Sequence, residues 1–333
     1  MKKAAMITVS IAALALLLLL LFFPGIGPAT QFTQPTETQN IQLSTDPPTD
    51  PPTVPPTEPP TQPSLPVIAP EESALKAKYI FVYDTKYDQV RYTRGSYADR
   101  VAPASLTKLL TAYVALEILD PEQVVTVGPE VHWIDPDSSV AWLSNGQKLT
   151  VEMLIEGMLL QSGNDAAYAL AVAGGREIAK DQSLPGWDAM AIFMQRMNAR
   201  AAYYGMTGSH FVNPDGIDHE NHYSTTADLL IVAKLALKNE IICKYAGMSR
   251  QDVTFASGQT ATWINTNLLL QKDSEYYCAA AKGLKTGSTS GAGKCLISVF
   301  EKEDGGKVII GVLGCENDAV RYSDSLLLYN LYK

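Results

Sequence analysis

The sequence predicts an α+β domain: one antiparallel sheet formed from both ends of the folded segment, packed by helices, with an all-helical subdomain between. Three observations carry this expectation. Strand-like runs rich in Ile, Val, Tyr and Phe stand at both ends, Lys78–Asp84 and Gln89–Thr93 early, Leu296–Phe300 and Val308–Leu313 late. The interior carries helix-period apolar runs, not an alternation of strand and helix. No repeat with a period of roughly 20–50 residues is visible, which excludes a solenoid or propeller.

The elements follow in order. Leu106–Leu119 has helical periodicity and follows Pro103-Ala104-Ser105, a plausible helix start. Thr150 can cap a second helix that runs to Leu160, Asp165–Ala173 reads as a third and Met190–Tyr204 as a fourth. The Leu- and Met-rich run Leu149–Leu160 reads as core, not as a cofactor pocket, and no cofactor is expected. The last two strands are joined by a turn, Glu301–Lys307, that contains Gly305-Gly306, and Asn317–Tyr332 closes the chain as a helix.

The chain divides into three materials. Lys2 and Lys3 precede an apolar run from Ala4 to Phe23 that is broken only by Thr8 and Ser10. At helical rise such a run matches the roughly 30 Å hydrocarbon core of a bilayer. Residues 1–23 are therefore expected to be a transmembrane anchor or, with Gly27-Pro28-Ala29 as a weak cleavage site, a signal segment. After Lys3 the next basic residue is Lys76, so both readings place the rest of the chain outside the cytoplasm. Fourteen of the 20 prolines lie between Pro24 and Pro70, in runs such as Asp46-Pro47-Pro48-Thr49. A segment so poor in apolar residues cannot offset its ordering entropy, so 24–70 is expected to be a disordered Pro/Thr-rich linker. Its polyproline bias would extend it by about 3.1 Å per residue, as a stalk. Residues 71–333 form the folded domain, expected as a monomer.

A formal charge of -9 argues against a nucleic-acid surface, where clustered Lys and Arg must neutralise phosphates. Four cysteines, Cys243, Cys278, Cys295 and Cys315, lack CxxC spacing. The simplest reading is unpaired, buried residues; one disulfide stays open.

Three short motifs carry the chemistry. In Ser105-Leu106-Thr107-Lys108 a helix puts residues i and i+3 on one face, which sets the lysine amine beside the serine hydroxyl. A serine hydroxyl is a weak nucleophile unless a base takes its proton, and lysine is that base only when burial or another cation depresses its pKa. Ser73-Ala74-Leu75-Lys76 is a second copy of the pattern, so the pattern alone does not choose. Ser162-Gly163-Asn164 offers a hydroxyl that could relay a proton and an amide that could orient a substrate; by composition it also suits an ordinary helix-linking loop. Lys285-Thr286-Gly287, followed by Ser288, reads as a strand whose cation and hydroxyls could bind a peptide carboxylate, with Gly287 permitting close approach. A phosphate-loop reading of Gly293-Lys294 fails because Cys295 stands where Ser or Thr is required. His219-Glu220-Asn221-His222 lacks the spacing of a zinc-binding helix, and no metal is expected.

Taken together and in this order, the motifs match the trio Ser-x-x-Lys, Ser-x-Asn and Lys-Thr-Gly. The chain resembles the low-molecular-mass penicillin-binding proteins with D-alanyl-D-alanine carboxypeptidase activity. The resemblance rests on Pro103–Lys108, Ser162–Ala166, Phe211–Gly216, His222–Thr225, Asn265–Leu269 and Gly283–Gly287. It covers nearly all of Glu71–Lys333 and selects Ser105 over Ser73. It implies a β-lactamase/transpeptidase-like fold and removal of the terminal D-alanine from peptidoglycan stem peptides through a serine acyl-enzyme. Ser105 would be nucleophile and Lys108 base, with Ser162 and Asn164 catalytic and Lys285, Thr286, Gly287 and Ser288 binding substrate. The backbone N–H groups of Ser105 and Ser288 would hold the oxyanion. β-Lactam antibiotics would acylate the same serine. The rivals are an endopeptidase or transpeptidase on the same scaffold and a non-catalytic, wall-tethered penicillin-binding sensor. Many family members carry a β-rich domain and an amphipathic anchor after this domain; here the anchor is expected at the N-terminus.

Overall fold

The computed structural model describes residues 69–333; the expected anchor and almost all of the expected linker lie outside the described residues. Strands β1 (Tyr79–Asp84) and β2 (Gln89–Arg94) form the first hairpin, and helix α1 (Thr107–Ile118) follows. Two short strands, β3 (Val124–Thr126) and β4 (Lys148–Thr150), pair before α2 (Val151–Leu160) and α3 (Asn164–Ala179). Next come α4 (Gly186–Tyr203), α5 (Thr226–Leu237) and α6 (Glu240–Gly247), then a second short pair, β5 (Arg250–Thr254) and β6 (Thr260–Ile264). The chain closes with β7 (Ala281–Thr289), β8 (Gly293–Glu301), β9 (Lys307–Cys315) and α7 (Asp318–Tyr332).

The main sheet has the order β2-β1-β9-β8-β7, with every neighbouring pair antiparallel. It joins the two ends of the domain, as the sequence predicts. Its central strands are buried on both faces, so successive residues feed two different cores. Phe81, Tyr83, Ile297, Val299 and Ile309 join α1 and α2 in the larger core. Ile80, Val82, Leu296, Phe300, Val308 and Ile310 pack with Tyr322 and Leu328 of α7 on the other side. Gly311 makes the first core fit: a Cβ there would lie 2.1 Å from the Phe81 ring.

Helix starts are capped where polar residues precede apolar runs. Thr150 accepts from the Met153 N–H and Thr225 from the Asp228 N–H, both at 3.1 Å, and Asn317 accepts from the Val320 N–H at 3.0 Å. Helix α3 runs to Ala179, six residues beyond its expected end at Ala173; its C-cap Lys180 takes the left-handed conformation instead. Helices α5 and α6 and the pairs β3–β4 and β5–β6 have no counterpart in the sequence expectation, so the helical region also carries two small strand pairs. All four cysteines are free, but only Cys295 and Cys315 are buried as the simpler reading expects; Cys243 and Cys278 are partly exposed. Among the described residues no helix is long and apolar enough to cross a membrane.

Candidate active site

The turn that carries Ser105 is built by close backbone approach. Ala104 has φ +49°, a left-handed conformation rare for a residue with a Cβ, and it opens the single 3₁₀ turn Ala104–Leu106 that leads into α1. Two glycines make room for it. Gly216 lies so close that a Cβ would sit 1.9 Å from the Ala104 carbonyl oxygen, and its φ of +91° disfavours any side chain. Gly287 of β7 faces the same turn, where a Cβ would meet Ala104 Cβ at 3.0 Å and the Ser105 nitrogen at 3.2 Å. Ser105 is thereby clamped between the Phe211–Gly216 loop and the Lys-Thr-Gly strand.

Lys108 is the second residue of α1, one turn on from Ser105, and is fully buried. Its Nζ donates to Ser105 Oγ and to the Asp215 carbonyl oxygen, each at 2.8 Å. Burial depresses its pKa to about 8; the Asp215 and Asp165 carboxylates oppose the shift without cancelling it. Lys285 is equally buried, and burial, then the neighbouring charges of Lys108 and Arg321, push its pKa well below the ordinary lysine value. The two lysines therefore share one desolvated, electropositive site.

Asn164 stands at the start of α3 and donates from Nδ2 to Ser138 Oγ at 2.8 Å. The following residue, Asp165, accepts from the Ala141 and Leu143 N–H groups at 2.8 and 2.9 Å, which fastens the segment before β4 against the site. Ser162 is buried with φ +58° in the loop between α2 and α3. Ser105, Asn164, Asp215 and Ser288 line one cavity of about 560 Å³, with Ser138 and Ser139 on its rim. Lys108, Ser162 and Lys285 are buried and do not line it. Thr286 turns its hydroxyl to Thr266, in the Asn265–Asn267 stretch. The second Ser-x-x-Lys sequence lies elsewhere: Ser73 and Lys76 are both exposed.

Four further residues support the site without a role assigned from the sequence. Arg321 of α7 donates to the Gly287 and Cys295 carbonyls at 3.3 Å each, behind the Lys-Thr-Gly strand. Asp215 is buried with one carboxylate oxygen unpaired, and burial raises its pKa. Asp218 accepts from Thr289 Oγ1 at 2.6 Å and from the Gly291 N–H at 2.7 Å, tying the β7–β8 turn to the 215–218 loop. His222 is buried, and burial lowers its pKa to about 4. Its Nδ1 accepts from the Val212 N–H at 3.3 Å, so Nε2 carries the proton toward Thr107 Oγ1 at 3.0 Å. Both ring nitrogens are committed, which makes His222 a structural residue beside the start of α1. Asp215 and His222 fall inside the Phe211–Gly216 and His222–Thr225 stretches, which gave them no role, whereas Asp218 and Arg321 lie in no motif.

The family profile described as D-alanyl-D-alanine carboxypeptidase matches residues 66–317. The chain belongs to this family. The D-alanyl-D-alanine carboxypeptidase of Streptomyces sp. strain K15 is 34% identical over 252 residues, 72% of this chain and 81% of that protein. The D-alanyl-D-alanine carboxypeptidase DacF of Bacillus subtilis is 31% identical over 237 residues, 69% of this chain. The crystal structure of the Streptomyces K15 DD-transpeptidase superposes with a TM-score of 0.69 and 30% identity, covering 77% of this chain and 97% of that one. The chain spans 56% of the Bacillus protein and 55% of Escherichia coli DacC, about half the length of these carboxypeptidases.

Proposed function

We propose that this chain is a serine D-alanyl-D-alanine carboxypeptidase that removes the terminal D-alanine of peptidoglycan stem peptides and is acylated by β-lactams. The observation that carries the reading is the buried Lys108 amine, 2.8 Å from Ser105 Oγ, with its pKa lowered to about 8. A lysine in that state can hold a proton briefly and give it up again near neutral pH.

The likeness to the family supports the following reaction. Ser105 Oγ attacks the carbonyl carbon of the penultimate D-alanine while its proton passes to Lys108 Nζ. The carbonyl oxygen takes the negative charge, and the backbone N–H groups of Ser105 and Ser288, on the two sides of the cleft, stabilise it. Lys285, backed by Arg321, attracts the terminal carboxylate, whose charge counters the burial and the like-charge repulsion that lower the Lys285 pKa. Ser162 passes a proton from Lys108 to the leaving nitrogen, the C–N bond breaks, and D-alanine departs. Asn164 orients the peptide. Water then attacks the ester with Lys108 as base, releasing the shortened peptide and restoring Ser105. In a β-lactam the leaving nitrogen stays tethered to the acyl group, so hydrolysis is hindered and the acyl-enzyme persists.

The reading extends to organisation: residues 1–23 as membrane anchor or signal, 24–70 as a stalk, and 71–333 as an extracytoplasmic catalytic domain acting as a monomer. The apolar run and the proline-rich composition support the first two assignments. The decisive experiment incubates the protein with labelled penicillin and with a peptide ending in D-Ala-D-Ala, beside Ser105→Ala. Labelling and D-alanine release that both vanish in the variant support the proposal. Labelling without release by the wild type would favour the sensor.

A further inference from the structure

A second cavity, of about 600 Å³, lies on the other side of the β7–β8 turn, with Ser290 shared between it and the candidate active site. Lys76, Lys78 and Arg100 line it, opposed by the single carboxylate of Glu316, so the cavity holds a formal excess of two positive charges. None of the four is in an ion pair with any described residue. This is notable in a chain of net charge -9, where carboxylates to neutralise the cluster are plentiful.

The cations stand on fixed supports. The Lys76 and Ala77 N–H groups both donate to Asp324 Oδ2, at 2.8 and 2.7 Å, and the Lys78 N–H donates to the Leu313 carbonyl at 3.1 Å. The stem of Lys78 runs over Gly314, where a Cβ would meet its Cβ and Cδ at 3.0 Å. The Arg100 guanidinium stacks 3.9 Å over the Tyr223 ring, and the adjacent Val101 exchanges two backbone hydrogen bonds with Ser224. With their backbones fixed around one cavity, the three cations present an entering anion with several positive charges at once.

We infer that this cavity binds an organic dianion, recognised through a phosphate or through paired carboxylates. The cavity is larger than a bare oxyanion requires and lies within the range of small-molecule sites, roughly 300–1,000 Å³. The site is independent of the serine chemistry, because none of its three cations belongs to the cleft.

The test is calorimetric titration of the full chain at low salt with inorganic pyrophosphate and, separately, with glutarate. Binding at one site per chain, weakened about tenfold or more in Lys76→Ala/Lys78→Ala and in Arg100→Ala and weakened again by salt, is the expected result. Ser105→Ala should bind as the wild type does, which separates this cavity from the cleft. Preference for pyrophosphate assigns a phosphate-bearing ligand, and preference for glutarate a carboxylate-bearing one. If neither anion binds the wild type, or if both cavity variants bind unchanged, the inference is wrong. Thermal unfolding of the variants checks that they remain folded.

Discussion

The chain contains the sequence Ser-x-x-Lys twice, and the two copies show how little of a catalytic site resides in its letters. Ser73-Ala74-Leu75-Lys76 sits at the start of the described domain with its serine and lysine in solvent. Ser105-Leu106-Thr107-Lys108 straddles the start of a helix buried in the larger core, and its lysine is fully enclosed. In the first copy the ammonium keeps its hydration and serves, in our inference, to attract an anion. In the second, loss of hydration lowers the pKa to about 8 and, in our proposal, lets the same group act as a base. The difference lies in what surrounds the side chain.

The comparison is open to attack in order of expected effect. Ser105→Ala should reduce penicillin labelling and D-alanine release by about 10⁴-fold or more, whereas Ser73→Ala should leave both within error of wild type. Equal losses in the two variants would break the contrast. Next, Lys108→Arg should reduce acylation by about 10²–10⁴-fold, because a guanidinium cannot serve as a base near neutral pH. Lys76→Arg should acylate normally, and stopped-flow labelling measures both.

The third concerns pH. The catalytic form has neutral Lys108, so acylation should rise with pH and level off above an apparent pKa of about 8. Two pH units below that midpoint only about 1% of the lysine is neutral, and the rate should be about a hundredfold lower. A flat profile between pH 6 and about 9 would remove Lys108 as the base.

The smallest effect probes burial away from the site. Glu156 on α2 is buried with Oε1 unpaired, and burial raises its pKa from 4.5 to about 7. An acid whose folded pKa is raised keeps its proton in the fold while the unfolded chain releases it. Stability should therefore fall as pH rises from 4.5 to about 7 and then stay level. Glu156→Gln should remove that decline and gain on the order of 1–3 kcal/mol over wild type at pH 8. Parallel stability–pH curves for the two proteins, from denaturant melts, would refute it.

Much of the fold was legible from periodicity. The end strands, α1, the Thr150 cap and the closing helix all lie within a residue or a few of their expected bounds, because each combines a clear apolar period with a capping or turn residue. What stayed hidden has physical reasons. Helix α5, Thr226–Leu237, is apolar on nearly every side, so it shows no amphipathic stripe. Strands β3 and β4 have three residues each, too few for alternation to register. In the site, Ser105, Lys108, Asn164 and Lys285 were legible because they fall in ordered motifs. Arg321 was not: it is a single arginine on a late helix whose reach to Gly287 and Cys295 exists only once α7 packs behind the sheet.

The sequence by itself determined the class of the domain, the membership of the family and the residues that could be nucleophile and base, because these depend on local spacing and residue type. Tertiary structure alone decided which Ser-x-x-Lys lysine loses its water, since desolvation is set by residues far apart in the chain. It is Gly216, Gly287 and Asp215 that close around Ser105 and Lys108, and although their motifs stand out in the sequence, what each approaches is set only by the fold. The anion cavity has the same origin, because Lys76, Arg100 and Glu316 line one cavity only when both ends of the described domain join one sheet.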